Sequence, residues 1–251
     1  MIDKLSNMNF IVDIGNSRVK VVVMDNDEIR AEHITEVASE EWLLGIAENY
    51  PAAQRAIVSS TRGDGEEVCR MLGNRFDLIV NFLPHTTPIP LRNDYHTPHT
   101  LGADRLAAAV GAHALHPDKE LMIVDFGTAI TIDFVLDGAF KGGNISPGMT
   151  TRFRALSDYT AKLPLCSAND DVLDYGRTTV EAIEQGVMQG ITHEIEGYIE
   201  AFSKKKGEKC IIFTGGDAKY FVKRIKNTIF ADCEPVFYGL SRILDYNAEK
   251  R

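Results

Sequence analysis

The sequence is poor in cysteine, and its few cysteines are scattered. The 251 residues include four, at Cys69, Cys166, Cys210 and Cys233, and no two of them form a C-x-x-C pair. A disulfide framework is not expected in a chain of this size, and the spacing fits no zinc site. We therefore expect all four to be reduced thiols packed inside the protein.

Long apolar runs and an excess of positive charge are missing as well. No stretch approaches the roughly 18 apolar residues of a membrane helix, and residues 1–8 lack the apolar segment of a signal peptide. We therefore expect a cytoplasmic protein without a membrane partner. The formal net charge of −9 argues against nucleic acid as the main partner. It leaves an anionic substrate open, because backbone amides and a few lysines can bind an anion on an acidic protein.

Several catalytic signatures are absent too. The chain contains neither the G-x-x-x-x-G-K-[ST] phosphate loop nor the G-x-S-x-G nucleophile elbow, which argues against Walker-type nucleotide hydrolases and α/β-hydrolases. The seven histidines lack the spacing of metal ligands. His96 and His99 are of interest only because they lie in a long, proline-containing connection over residues 83–100, and such connections are often functional.

What the sequence does contain is an alternation of strand and helix patterns. A hydrophobic fraction of 44% and a charged fraction of 25% are typical of a globular protein with enough apolar material for two cores. Both halves open with strand-like runs and continue with helical ones; the last helices are predicted over residues 218–226 and 238–247. The sequence predicts an α/β fold of two lobes, residues 1–116 and 117–251. Each lobe is a mixed β-sheet that opens with a β-hairpin and is flanked by helices.

The first hairpin turn is the strongest functional signal. Asp13-Ile14-Gly15-Asn16-Ser17 lies between two apolar runs, and Lys20 follows three residues further on. Gly15 permits close approach of a ligand, while turn amides, Asn16 and Ser17 can hold phosphate oxygens. Asp13 would repel phosphate, so it makes sense as a Mg²⁺ ligand, directly or through water. An ordinary hairpin turn also favours these residue types and remains the alternative for one copy.

A second copy of this turn shifts the balance towards function. Asp125-Phe126-Gly127-Thr128-Ala129 again follows an apolar run and again supplies an acid, a glycine and a hydroxyl. Asp25 and Asp137 occupy equivalent places in the turns that follow. We interpret the two stretches as a duplicated β-hairpin.

Two further stretches are weaker signals. Gly215-Gly216 follows a strand and leaves room for a flat ring or a sugar against the backbone. Asp104, in Gly102-Ala103-Asp104-Arg105, is either a first-turn helix acid or a base for a substrate hydroxyl. On the second interpretation Arg105 grips a substrate carboxylate and Tyr95 lines the same pocket.

At these residues the sequence resembles the type III pantothenate kinases, members of the acetate kinase/Hsp70/actin/sugar kinase superfamily. The resemblance rests on five motifs: Asp13-Ile14-Gly15-Asn16-Ser17 with Lys20, Gly102-Ala103-Asp104-Arg105, Asp125-Phe126-Gly127-Thr128-Ala129, Gly143-Asn144-Ile145-Ser146-Pro147-Gly148, and Thr179-Val180-Glu181-Ala182-Ile183. The first and third are shared by the superfamily, whereas the second and fourth are more specific. Ser17 stands where the family more often has Thr, and either residue supplies a hydroxyl.

The resemblance implies two ribonuclease-H-like (actin-like ATPase) lobes and a homodimer. It implies the ATP-dependent phosphorylation of pantothenate to 4'-phosphopantothenate, the first step of coenzyme A biosynthesis, with Mg²⁺ and a monovalent cation, K⁺ or NH₄⁺.

The resemblance also implies a role for each matched residue. The phosphate motif would comprise Asp13, Ile14, Gly15, Asn16, Ser17, Arg18, Val19 and Lys20. The pantothenate contacts would be Tyr95, Gly102, Ala103, Asp104, Arg105 and Thr179. Asp104 would be the general base and Asp125 a monovalent-cation ligand, while Thr128 would contact ATP and Gly215-Gly216 would form the adenosine motif.

Two alternatives stay open at this point. Another sugar-kinase-like phosphotransferase would show the same two hairpin turns. A nucleotide-binding transcriptional regulator is the non-enzyme alternative, which the acidic net charge and an intact Asp104 disfavour.

Overall fold

The computed structural model describes residues 8–225, 229–230 and 234–250, and the chain forms two compact units. The first unit comprises residues 1–117 and 235–251, and the second comprises residues 118–234. The sequence-based boundary assigns 235–251 to the second lobe, so the division found in the structure differs for this last segment. Two residues named in the sequence analysis lie outside the described residues: Cys233, one of the four cysteines, and Lys226, at which the helix predicted over 218–226 ends.

Except for the short strand β6, which lies in the predicted connection over residues 83–100, the elements follow one another in the order that the alternating pattern predicts. The first unit begins with β1 (Met8–Ile14), β2 (Val19–Asp25), β3 (Glu28–Thr35), α1 (Glu40–Glu48), β4 (Arg55–Ser60), α2 (Gly65–Leu72), β5 (Leu78–Asn81), β6 (Arg92–Asn93) and α3 (Ala103–Leu115). The second unit contains β7 (Glu120–Phe126), β8 (Ala129–Leu136), β9 (Ala139–Pro147), α4 (Met149–Asp158), α5 (Thr179–Ser203), β10 (Lys209–Thr214), α6 (Ala218–Val222) and β11 (Ile229–Phe230). The chain ends with α7 (Pro235–Ala248) in the first unit.

Both units use the same strand order. In the first it is β3-β2-β1-β4-β5, with β1, β2 and β3 antiparallel and β4 and β5 parallel to β1. In the second, β9-β8-β7-β10-β11 repeats this arrangement. The duplicated hairpin therefore opens two sets of five strands with the same order and directions.

The sheet of the first unit is covered on both faces. Alternate residues of its central strands, such as Phe10, Val12 and Val58, pack with Leu43 of α1 and Val68 of α2 in one core. The intervening residues point to the opposite face, because side chains alternate along a strand. That face carries α3 and α7.

Helix α7 joins the first unit through a close backbone contact with α3. A Cβ atom on Gly239 would lie 1.8 Å from the carbonyl oxygen of Ala107, and one on Gly111 would lie 2.0 Å from that of Pro235. Only glycine allows such an approach. A polar link adds to it, since Asp245 of α7 accepts hydrogen bonds of 2.9 Å from Asn9 and from Arg55.

The second unit has its own core around a cluster of aromatic rings. Phe126 stacks on Phe221 at 4.8 Å and meets Phe213 edge-on at 5.0 Å. The long helix α5 packs against this core and begins with a capping box, in which Thr178 and Glu181 each bond the other's backbone amide. Within the described ranges, no helix combines the length and the apolar character needed to cross a membrane.

The three described cysteines are free thiols. Cys210 is buried as predicted, whereas Cys69 and Cys166 are only half-buried, so the expected packing inside the protein is wrong for these two. Burial raises the pKa of Cys69 to about 11, with a smaller contribution from the Glu66 carboxylate, so this thiol stays protonated at neutral pH.

Candidate active site

The turn after β1 is a tight reversal with its polar residues exposed. The amide of Gly15 donates to the carbonyl of Arg18 at 3.0 Å, and Asn16, Ser17 and Arg18 point into solvent. Ile14 and Val19 are 1% and 2% exposed. The side chains of Ile14 and Val19 therefore belong to the core, and only their backbone is placed to meet a ligand.

The loop after β4 braces this turn. Both the amide and the hydroxyl of Thr61 donate to the carbonyl of Ile14, at 2.9 and 3.1 Å. Arg62 Nε donates to the carbonyl of Gly15 at 2.7 Å, which places a guanidinium beside the predicted phosphate motif. Sequence reasoning missed Thr61 and Arg62, because nothing local in the sequence says that β4 is the parallel neighbour of β1.

Asp13 occupies the middle of a row of polar residues across the sheet. It pairs with Lys20 on β2 and with Ser59 on β4, so all three side chains point to the face that carries α7. Lys20 Nζ lies 5.4 Å from the centroid of the Phe237 ring on α7 and 3.7 Å from Glu32 Oε1. The predicted Mg²⁺ ligand, Asp13, and the predicted cation of the first motif, Lys20, therefore lie side by side on adjacent strands.

The start of α3 brings together five of the six predicted substrate residues, all except Thr179. Asp104 lies half-buried in the first turn after Gly102 and Ala103, and its Oδ1 accepts from the amide of Arg105 at 2.8 Å. Within the described ranges, Asp104 Oδ2 accepts no hydrogen bond. The Arg105 side chain is only 7% exposed, and its guanidinium carbon lies 5.9 Å from the centroid of the Tyr95 ring. His96 and His99 are exposed in the preceding connection.

The turn after β7 repeats the geometry of the first turn. The amide of Gly127 donates to the carbonyl of Ala129 at 3.2 Å. Thr128 is exposed, and two hydrogen bonds fix its backbone. Its carbonyl accepts one from the Gly148 amide at 3.0 Å and one from the Thr151 hydroxyl at 2.8 Å. Gly148, the last residue of the sequence motif over 143–148, thus supports this turn from the start of α4, together with Thr151.

The glycine pair lies directly against the second acidic residue. Gly215 has φ +92°, and a Cβ atom there would lie 2.3 Å from Asp125 Oδ1 and 2.7 Å from the Phe126 amide nitrogen. The Asp217 amide donates to the carbonyl of Phe126 at 3.1 Å. Nothing lies within 4 Å of a Cβ built on Gly216, which is exposed. The structure therefore joins Asp125 with Gly215 and leaves open space beside Gly216.

A cavity of about 680 Å³ begins at Asp217. Its wall includes the apolar and aromatic side chains of Met149, Phe153 and Tyr220. Cys166, Ser167 and Asp217 add polar groups. Burial raises the pKa of Asp217, opposed by the Lys219 ammonium. Sequence reasoning missed this cavity, whose wall combines α4, α6 and the connection after α4.

Thr179 lies apart from the other predicted residues of its unit. It is the exposed first residue of α5 and lines a groove of about 870 Å³ between α4 and α5. Most of the groove is apolar, with contributions from Leu156, Tyr159, Leu163, Ile183 and Val187. The groove is not lined by Asp125, Thr128 or the Gly215-Gly216 pair.

Within the described part of the chain, no group of three His, Cys, Asp or Glu side chains is placed to hold a metal ion. Mg²⁺ in phosphoryl-transfer sites is usually bound through one or two carboxylates together with substrate phosphates. Asp13 beside Lys20 and the exposed turn amides fits that requirement.

Two solved structures share the fold over almost the whole chain. A Campylobacter jejuni protein assigned to the Baf family of transcriptional activators matches with a TM-score of 0.64, covering 96% of this chain and 99% of its own, at 22% identity. A Sinorhizobium meliloti protein assigned as a 2-dehydro-3-deoxygalactonokinase matches with a TM-score of 0.62, covering 95% and 99%, at 15% identity. These likenesses establish the fold, and the predicted pair of ribonuclease-H-like lobes is confirmed.

Sequence comparison identifies the family. The family model of type III pantothenate kinase matches residues 9–201. The type III pantothenate kinase of Phocaeicola vulgatus is 42% identical over 96% of this chain and 99% of its own length. That of Porphyromonas gingivalis is 40% identical over 96% and 99%. The predicted resemblance is confirmed, and the chain belongs to the type III pantothenate kinase family.

Proposed function

We propose that this protein transfers the γ-phosphoryl group of ATP to the primary hydroxyl of pantothenate, forming 4'-phosphopantothenate for coenzyme A biosynthesis. Its family is named for this activity, and its relatives match along nearly the whole chain. The observation that carries the proposal is the arrangement at the start of α3, where a half-buried carboxylate, Asp104, adjoins the buried guanidinium of Arg105. A binding protein has no need of a carboxylate poised in this way.

On the donor side, the two hairpin turns bind the phosphates. Asn16, Ser17 and the turn amides contribute donors and Lys20 contributes a positive charge, while Thr128 contributes a hydroxyl from the second turn. The exposure of Asn16, Ser17 and Thr128 supports this role. The adenosine lies against Gly215-Gly216, and the open space at Gly216 and the adjoining cavity support that placement.

Two cations complete the donor side. Asp13 holds Mg²⁺, directly or through water, and Asp125 binds a monovalent cation, K⁺ or NH₄⁺. When bound, such ions neutralise charge on the transferring phosphoryl group. The close approach of the Gly215 backbone supports the assignment of Asp125 as the monovalent-cation ligand, because it confines the carboxylate beside the glycine pair.

On the acceptor side, Asp104 accepts the proton of the pantothenate hydroxyl as its oxygen attacks phosphorus. Its Oδ1 is occupied by the Arg105 amide, which leaves Oδ2 for the substrate proton. The Arg105 guanidinium binds the pantothenate carboxylate, and Tyr95 stacks beside it. Gly102 and Ala103 contribute backbone, and Thr179 contributes a hydroxyl.

We further propose a cytoplasmic homodimer. The groove between α4 and α5 is largely apolar, and Tyr159 on its rim is 90% exposed. An apolar surface of this kind favours association. A second copy of the chain that covers the groove would also enclose Thr179.

The test is ADP formation with and without pantothenate, in K⁺, in NH₄⁺ and with neither cation. We expect ADP to form only when pantothenate is present and faster when either cation is added. Sugar substrates run in parallel address the alternative of another sugar-kinase-like enzyme. The absence of pantothenate-dependent ADP would refute the proposed activity.

A further inference from the structure

Ser59 on β4 is a buried hydroxyl without a hydrogen-bond partner. The residue is 0% exposed, and its Oγ makes no hydrogen bond within the described part of the chain. Its neighbour Ser60 shows the contrast, because Ser60 Oγ accepts from the amides of Arg62 and Gly63 at 3.0 and 3.1 Å. A buried polar group that lacks a partner destabilises the fold, so its presence needs an explanation.

The position of Ser59 in the sheet explains why a buried hydroxyl is present there. It is the direct neighbour of Asp13 in the parallel β1–β4 pair, and Lys20 is the neighbour of Asp13 on the other side. Paired residues on adjacent strands point to the same face at a strand spacing of about 4.8 Å. The Ser59 hydroxyl therefore lies within reach of the Asp13 carboxylate when that side chain turns towards β4.

The second sheet repeats this arrangement. Asp125 on β7 is paired in the same parallel register with Thr214 on β10, and Thr214 is 6% exposed. Each of the two acidic residues thus has a buried hydroxyl residue beside it on the neighbouring parallel strand. Two residues earlier on the same face of each strand, the side chain is apolar and buried, Ile57 on β4 and Ile212 on β10.

We propose that Ser59 is a positioning residue of the kinase reaction. When Mg²⁺ and ATP bind, its hydroxyl donates a hydrogen bond to the Asp13 carboxylate and fixes the orientation in which Asp13 meets the metal or its water. In the free protein the hydroxyl has no such role and costs stability. This inference rests on the proposed function, in which Asp13 is the Mg²⁺ ligand.

Ser59→Ala separates this role from a structural one, because the thermal stability and the catalytic rate should not fall together. Because the substitution removes an unsatisfied hydroxyl, the Tm of the free protein should stay the same or rise. The loss of a hydrogen bond to a charged group should lower kcat about tenfold or more and raise the Mg²⁺ concentration for half-maximal rate. The KM for pantothenate should change less than about twofold. A Tm several degrees lower, or an unchanged kcat, would overturn the inference.

Ser60→Ala is the matched control for the stability measurement. Its hydroxyl is satisfied, so this variant should lower the Tm of the free protein. Ser59→Thr keeps a hydroxyl, as Thr214 does in the other sheet, and should recover most of the Mg²⁺ response. A Ser59→Thr variant as impaired in its Mg²⁺ response as Ser59→Ala, with the same Tm as the parent protein, would also count against the inference.

A binding measurement separates this inference from the proposed activity. The rise in Tm that MgATP causes requires no pantothenate and no turnover. We expect Ser59→Ala to reduce this rise in the parent protein and to have no further effect in the Asp13→Asn background. Equal reductions in both backgrounds would show that Ser59 does not act through Asp13, whatever the activity assay gives.

Discussion

At the scale of single residues, Asp104 carries the sharpest prediction. Asp104→Asn preserves the size of the side chain and an acceptor for the Arg105 amide, and it removes the base. We expect kcat to fall by a factor of about 10² to 10⁴, with the Tm and the MgATP-induced rise in Tm nearly unchanged. Steady-state kinetics and thermal denaturation check this. A rate within a few-fold of the parent enzyme would remove Asp104 as the base.

Arg105 is predicted to determine affinity for the acceptor substrate. Arg105→Lys keeps the charge but loses the planar, bidentate geometry that suits a carboxylate. We expect the KM for pantothenate to rise about tenfold or more while the KM for ATP changes little. Arg105→Ala should show a larger effect of the same kind, provided that its circular dichroism spectrum matches that of the parent. Equal increases in both KM values would contradict the assignment.

At the scale of elements, the contact between α3 and α7 is predicted to be a point of high sensitivity. Gly239→Ala would place a methyl group against the Ala107 carbonyl, which belongs to rigid helix backbone. We expect the free energy of unfolding to fall by about 3 kcal/mol or more. Denaturant titration measures this.

Gly45→Ala in α1 is the matched control for that substitution. It lies in a helix of the same unit, is exposed, and has nothing within 4 Å of the added Cβ. Because alanine is the better helix former, this variant should gain up to about 1 kcal/mol. A Gly239→Ala variant as stable as Gly45→Ala would contradict the close backbone contact between α7 and α3.

At the scale of the whole molecule, the groove between α4 and α5 is predicted to form the dimer contact. Tyr159→Arg places a charge on the rim of this apolar surface and should shift the protein from dimer to monomer in sedimentation velocity. Ile34→Arg is the control, since Ile34 is a 49% exposed apolar residue of the first unit, on β3. A Tyr159→Arg dimer as tight as that of the parent would place the contact elsewhere.

Much of this molecule was predictable because its signals are local. Each hairpin turn is contained in a few consecutive residues, and an acid, a glycine and small polar residues between apolar runs specify it. The helix predicted over 218–226 was too long, since α6 ends at Val222. An amphipathic pattern indicates a helix but locates its last turn poorly.

The remainder depends on which elements become neighbours, and the sequence does not encode that locally. The pattern of α7 shows that it is amphipathic but not which sheet it covers, and the backbone fit of Gly239 on α3 decides this. Likewise, Ser59 and Arg62 gain meaning only because β4 pairs in parallel with β1. The sequence by itself determined the two hairpin turns that are predicted to bind phosphate, the duplicated hairpins and the family. Only the tertiary structure decided what stands beside each turn, because long-range strand pairing and helix packing bring together residues far apart in the chain.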